Sequence, residues 1–97
     1  MTPVVVRLAA AADVAEAYRW YEERRIGLGE EFLAAVDAAV GSAADNPQLY
    51  PVVHRDTRRV LLRRFPYGLY YRVLATRIVV VACFHAKRAP TAWRKRA

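Results

Sequence analysis

The hydrophobic period of this chain changes at Asn46-Pro47, and that change limits the folds open to it. Upstream, Val14, Ala17, Tyr18 and Tyr21 recur at helical spacing in a segment from Ala10 to about Arg25. Gly27-Leu28-Gly29 interrupts it. Phe32, Leu33, Val36, Ala39, Val40 and Ala43 then make a second helical stripe, from about Glu30 to Ala44. Glu30 and Glu31 open that segment, where the helix dipole favours acids, and Asn46-Pro47 closes it. An antiparallel helix hairpin is the expected product.

Downstream the period is that of strands. After the Leu49-Tyr50-Pro51 loop, Arg58 to Phe65 reads as a strand, Pro66-Tyr67-Gly68 as a turn and Leu69 to Leu74 as a second strand. A turn at Ala75-Thr76-Arg77 leads into a third, Ile78 to Phe84. Connections this brief require an antiparallel meander. At the other end, Val4-Val5-Val6-Arg7-Leu8 is β-branched and follows Pro3, as a first strand would. The expected class is α+β, ordered β-α-α-β-β-β, an antiparallel sheet with the helix hairpin on one face and the other face at least partly open. Alternation places Ile78, Val80, Ala82 and Phe84 on one side of the last strand and Val79, Val81 and Cys83 on the other. Apolar on both faces, it should be an interior strand, with the first strand beside it. The 97 residues suffice for one domain, 1–97, with little room for a deep cofactor cavity.

Charge divides at the same place. Residues 1–45 hold eight acids against four bases, a balance of −4, whereas residues 46–97 hold twelve bases against Asp56 alone, a balance of +11. A domain so polarised has a directed field, and its basic half should attract phosphates or an acidic protein surface. Fourteen of the sixteen basic residues are Arg, whose planar fork clamps such groups. Within the predicted second strand Arg59, Leu61, Arg63 and Phe65 share one face, and Arg58, Val60, Leu62 and Arg64 the other. Binding and charged protection of a sheet edge both account for such a pattern. Tyr70 and Arg72 share a face and suit either a platform for a base or peptide, or a stack that holds the sheet.

Conventional catalytic apparatus is missing from the sequence. Gly27-x-Gly29 is a helix-hairpin turn and not a phosphate loop, and there is no nucleophile elbow. His54 and His85 lack the neighbours of a metal site, so neither metal nor other cofactor is expected. His85 could serve as an acid or base, or simply cap the strand end. The lone Cys83 excludes an internal disulfide and reads as a buried small side chain, which fits a cytoplasmic protein. No secretion signal is evident, and no apolar run is long enough to span a membrane.

Several segments together resemble the ParE/RelE toxins. They are Ala15-Glu16-Ala17-Tyr18-Arg19-Trp20-Tyr21-Glu22-Glu23, Gly27-Leu28-Gly29 with Phe32, and Asn46-Pro47 with Tyr50-Pro51. Arg63-Arg64-Phe65-Pro66-Tyr67-Gly68-Leu69-Tyr70-Tyr71-Arg72-Val73 and His85-Ala86-Lys87-Arg88-Ala89-Pro90 with Trp93 complete the set. No segment is diagnostic alone; their order and spacing together are fairly specific. The resemblance implies the toxin of a type II toxin–antitoxin pair, of the kind tied to plasmid stabilization and neutralised by a cognate antitoxin. Its target would be DNA gyrase for a ParE-like member, or mRNA on the ribosome for a RelE-like endoribonuclease. The cutting members place a basic residue after an aromatic at the start of the third strand, where this chain has Gly68 after Tyr67. They carry lysines in the second strand, where it has only arginines, and end on a tyrosine, where it has Trp93. His85-x-x-Arg88-x-Pro90-x-x-Trp93 looks more like the ParE side.

The target- or nucleic-acid-binding candidates are therefore Arg63, Arg64, Tyr70, Arg72, Lys87, Arg88 and Trp93. Arg72, His85 and Arg88 would be the catalytic set if the chain were a ribonuclease. Pro90 bends the tail so that Trp93 could fold back near the sheet edge. A reading from another class is a small basic nucleic-acid-binding module, marked by salt-dependent affinity and no toxicity.

Overall fold

The computed structural model describes residues 1–96. Strand β1 (Val4–Val6) leads into helices α1 (Leu8–Arg24) and α2 (Leu28–Asp45). Strands β2 (Val52–His54), β3 (Thr57–Leu61), β4 (Tyr67–Val73) and β5 (Ile78–His85) follow, and then a short helix α3 (Thr91–Arg94). One sheet contains all five strands in the order β1-β5-β4-β3-β2. The α+β class, the helix hairpin, the meander and the interior place of β5 agree with the expectation.

The alanine-rich α1 and α2 are good helix formers, joined by a tight connection. Gly27 there adopts the left-handed region at φ 91°, where a side chain would be strained. It has no side chain with which to cap α2, and Glu22 of α1 supplies one. Its carboxylate accepts from the backbone N–H of Gly27 at 3.0 Å and of Gly29 at 3.0 Å.

Four details depart from strict periodicity. First, the sheet is mixed, because β1 runs parallel to β5 while the other pairs are antiparallel. A strand followed by a helix hairpin can return to its neighbour in either sense. Second, part of the expected 49–57 connection forms β2. It pairs with β3 through a tight turn in which Arg55 takes a positive φ of 52°.

Third, β3 stops at Leu61, so Arg63 and Arg64 lie in a loop and not in a strand. Leu62 N–H donates to the Tyr67 carbonyl at 2.9 Å, and Arg64 takes φ 69°. That left-handed residue turns Phe65 into the same core as Val60 and Leu62, which alternation would have denied it. Phe65 meets Tyr21 edge-on, with ring centroids 5.0 Å apart, and Phe32 at 5.4 Å. The turn thus lies upstream of Tyr67 and Gly68, which belong to β4.

Fourth, β5 contains a bulge. Tyr70 pairs with Ala82 and Tyr71 with Val80, leaving Val81 unmatched. Ile78, Val80 and Cys83 therefore face the helices, while Val79, Val81, Ala82 and Phe84 face away. That second face is not left open. Trp93 of α3 packs on it with Tyr70 and Phe84, so the small sheet has a core on each side.

Candidate functional site

A cleft of about 660 Å³ opens where α1 passes the ends of β4 and β5. Glu16, Arg19, Trp20 and Glu23 line it from α1, Pro66 and Tyr67 from the start of β4, and Cys83, His85 and Arg88 from the end of β5. Tyr67 and His85 are cross-strand partners, and their rings meet edge-on at 5.4 Å. Burial pushes the Tyr67 hydroxyl above its ordinary pKa. His85 Nδ1 accepts from the Lys87 N–H at 3.1 Å, and the His85 carbonyl accepts from the Arg88 N–H at 3.0 Å. The ring nitrogen is thus an acceptor in the turn after β5, which leaves Nε2 for the cleft.

Asp13 lies at the back of this cleft, at the point where β1 has ended and β5 has lost its neighbour on that side. Its Oδ2 accepts from the Cys83 N–H at 3.0 Å and pairs with the Arg96 guanidinium. Arg96 is also tied to the residue before α1, its carbonyl accepting from Arg7 Nη1 at 3.0 Å. Burial, then the nearby Asp13 charge, pushes the Cys83 thiol up to about 12, so it is protonated and inert at neutral pH.

The candidates named from sequence fall into four groups. His85, Lys87 and Arg88 come together at the mouth of the cleft or beside it. Arg72 is elsewhere. It faces away from the helices and pairs with Val79 near the far end of β4, about 17 Å of strand from Tyr67 at roughly 3.4 Å per residue. Two of its three guanidinium nitrogens, Nε and Nη2, donate to Asp56, at 3.1 and 3.0 Å. Arg72, His85 and Arg88 therefore do not surround a common point.

Arg63 and Arg64 sit in the β3–β4 loop. Arg64 donates to Glu31 at 2.8 Å, and Glu31 also accepts from Arg25 at 3.0 Å, a clamp between the loop and the start of α2. Hydrogen bonds from Arg25 and Arg64 hold the Glu31 carboxyl below its ordinary pKa. Arg63 lines a smaller groove of about 440 Å³ between α2 and β3, floored by Ala35, Ala38 and Ala39, with Leu61 at its rim. Arg58 ties down the loop before β2 by donating to the Tyr50 carbonyl at 2.6 Å.

Tyr70 and Trp93 are buried, at 1% and 5% exposure. The open Tyr70–Arg72 platform does not form, because Trp93 stacks on Tyr70 from the outside. Sequence reasoning missed Asp13, Glu16, Trp20 and Tyr67. Trp20 left a signal: a large aromatic outside the apolar stripe of its helix. It stands 49% exposed with the Arg24 guanidinium 3.6 Å over its ring. Tyr67 was hidden by the misplaced turn.

Among the described residues, no three His, Cys, Asp or Glu side chains gather into a metal-binding group. None of the helices described is long and apolar enough to cross a membrane.

The chain resembles known proteins. It is similar over 88% of its length to a solved structure of the chromosomal ParDE toxin–antitoxin system from P. aeruginosa, with 23% identity, 96% of that chain covered and a TM-score of 0.64. It is similar over 87% of its length to the toxin–antitoxin complex RelBE2 from Mycobacterium tuberculosis, with 21% identity, 96% of that chain covered and a TM-score of 0.61. These likenesses establish the fold. No curated protein matched by sequence. The family model for the ParE toxin of the type II toxin–antitoxin system, parDE, matches residues 4–90, which is all but the two ends. The chain belongs to the ParE toxin family of type II toxin–antitoxin systems.

Proposed function

We propose that this chain is a ParE-like toxin that acts on DNA gyrase in the cytoplasm and is held inactive by a cognate antitoxin. The observation that carries the choice of target is the separation of Arg72 from His85 and Arg88. Cutting RNA through its 2′-hydroxyl needs a base, an acid and a charge stabiliser around one phosphate. Arg72 is on the opposite face, far along β4, and already engaged by Asp56. What remains in the cleft is His85 and Arg88 with Tyr67, opposite the acids Glu16 and Glu23 and the base Arg19.

The antitoxin reading rests on the family and on the surface between α2 and β3. Alanines there leave a groove, Leu61 is 57% exposed at its rim and Arg63 stands beside it. A partner segment with apolar and acidic residues would bury the former and pair with the latter as it orders.

One observation favours the RelE-like alternative: Tyr67, His85 and Arg88 share one cleft. Induction of the chain in cells, followed by primer extension on a translated message and by assay for gyrase–DNA breaks, separates the two. Intact messages with accumulated breaks are expected. Codon-phased cuts that vanish in His85→Ala or Arg88→Ala would overturn the gyrase reading. Co-expression of the neighbouring small reading frame should restore growth and co-purify with the chain; growth unaffected by the chain alone, with no partner retained, would overturn the toxin reading itself.

A further inference from the structure

The face of the sheet turned away from the helix hairpin also carries arginines, among them Arg88, whose guanidinium lies over this face from the mouth of the cleft. Its floor is aromatic and closed: Tyr70, Phe84 and Trp93 are no more than 5% exposed. The Arg88 guanidinium lies 4.3 Å from the centroid of Phe84, and that of Arg94 lies 5.6 Å from Trp93. Arg59 pairs across strands with Tyr70. Its stem fills the space that Gly68 leaves, since a Cβ on Gly68 would stand 3.0 Å from Arg59 Cδ and 3.3 Å from the Tyr70 hydroxyl. Arg88 and Arg94 are exposed, as are Lys87 and Lys95 beside them. Arg59, Arg88 and Arg94 meet no carboxylate among the described residues. Asp56, the one acid of the basic half, is engaged by Arg72.

We propose that this face binds the phosphate backbone of duplex DNA, through Arg59, Arg88 and Arg94. The aromatic floor lays cations out on a rigid surface, and guanidinium forks suit phosphate oxygens. Single strands are disfavoured, because unpaired bases need exposed rings to stack on and all three rings here are covered. An acidic peptide that orders on binding needs apolar surface to bury, which the groove between α2 and β3 supplies and this closed floor does not. The choice of a DNA duplex over an RNA duplex rests on the gyrase reading, which would bring the toxin beside DNA.

The test is fluorescence anisotropy of a labelled DNA duplex with the purified full-length chain and no gyrase, titrated with salt. Three phosphate contacts give a slope of log K against log salt of about −2.7, at roughly −0.9 per contact. The double variant Arg88→Gln, Arg94→Gln should lower that slope by about 2 with an unchanged melting temperature. The double variant Arg24→Gln, Arg25→Gln, with the same change in net charge on the helix side, should keep the slope. Equal losses in the two variants would reduce the binding to net charge and overturn the proposal. Tighter binding of single-stranded DNA, an RNA duplex or polyglutamate would overturn it as well. A chain that binds DNA through this face yet produces no gyrase–DNA breaks would sink the gyrase reading and leave the DNA-binding face standing.

Discussion

Trp93 lies almost flat on Tyr70, with ring centroids 4.7 Å apart and planes 18° from parallel. The relation explains how a sheet with its helix hairpin on one side avoids exposing the other. Val79, Val81, Ala82 and Phe84 would meet water there, and a four-residue helix delivers the one side chain large enough to cover much of that surface. Trp93→Ala should therefore cost about 3–5 kcal/mol, as for other buried aromatics. Trp93→Phe should recover part of that. Growth arrest should fall in step with melting temperature across the two variants. A Trp93→Ala chain that melts like the parent but no longer arrests growth would show that Trp93 meets the target instead.

Asp13 fastens the tail whose helix carries Trp93. The carboxylate satisfies a strand N–H that β1 is too short to reach, and it pairs with Arg96. Its side chain is 10% exposed and that of Arg96 is 29%. Removing the more buried partner strands the more, so Asp13→Ala should destabilise by about 2–3 kcal/mol and Arg96→Gln by less. Cys83 reports the opening, because its thiol is buried and its pKa stands at about 12. Thiol labelling at neutral pH should be negligible in the parent chain and measurable in Asp13→Ala. The reverse order of effects, or labelling unchanged in Asp13→Ala, would contradict this account of the tail.

Much of this fold could be read from the sequence because its helices bury one stripe each. Phe32, Val36, Ala39 and Ala43 are buried as their spacing requires. The strands were less legible where one residue breaks alternation. The left-handed Arg64 moves Phe65 to the other side of the sheet, and unmatched Val81 does the same for Ala82 and Cys83. Neither position is Gly, so no residue type announced it. Charge pattern likewise showed that a basic half exists but not which arginines are free. Asp56 and Glu31 take Arg72 and Arg64 out of the count, and Glu31 lies in the acidic half of the chain.

Those two acids give the chain a pH dependence. Hydrogen bonds from Arg25 and Arg64 lower Glu31 from its ordinary 4.5, and a hydrogen bond from Arg72 lowers Asp56 from 3.8. Depressed carboxylates stabilise the folded state at pH values above their unfolded pKa, and that contribution is lost as pH falls through the folded pKa. Melting temperature should thus be insensitive to these groups at neutral pH and decline in acid, from about pH 4.5 downward. Glu31→Gln should flatten the start of that decline. An acid decline as steep in Glu31→Gln, Asp56→Asn as in the parent would assign it to other groups.

Gly29 and Gly41 stand on the same helix and should respond oppositely to alanine. At Gly29 a Cβ would come within 2.7 Å of Tyr18 Cε2 and 2.9 Å of Glu22 Oε1. Tyr18 is held in place by its hydroxyl, which donates to Glu30 at 3.2 Å, and Glu22 is the acceptor for the Gly27 and Gly29 N–H groups. Neither can withdraw without opening the helix hairpin or losing the cap. Gly29→Ala should therefore cost about 1–3 kcal/mol. At Gly41 nothing lies within 4 Å of the added carbon. Only the helix preference for alanine then acts, and Gly41→Ala should gain up to about 1 kcal/mol. Chemical denaturation of both variants measures the two signs directly. A neutral Gly29→Ala would mean that α1 and α2 separate more easily at this end than their packing implies.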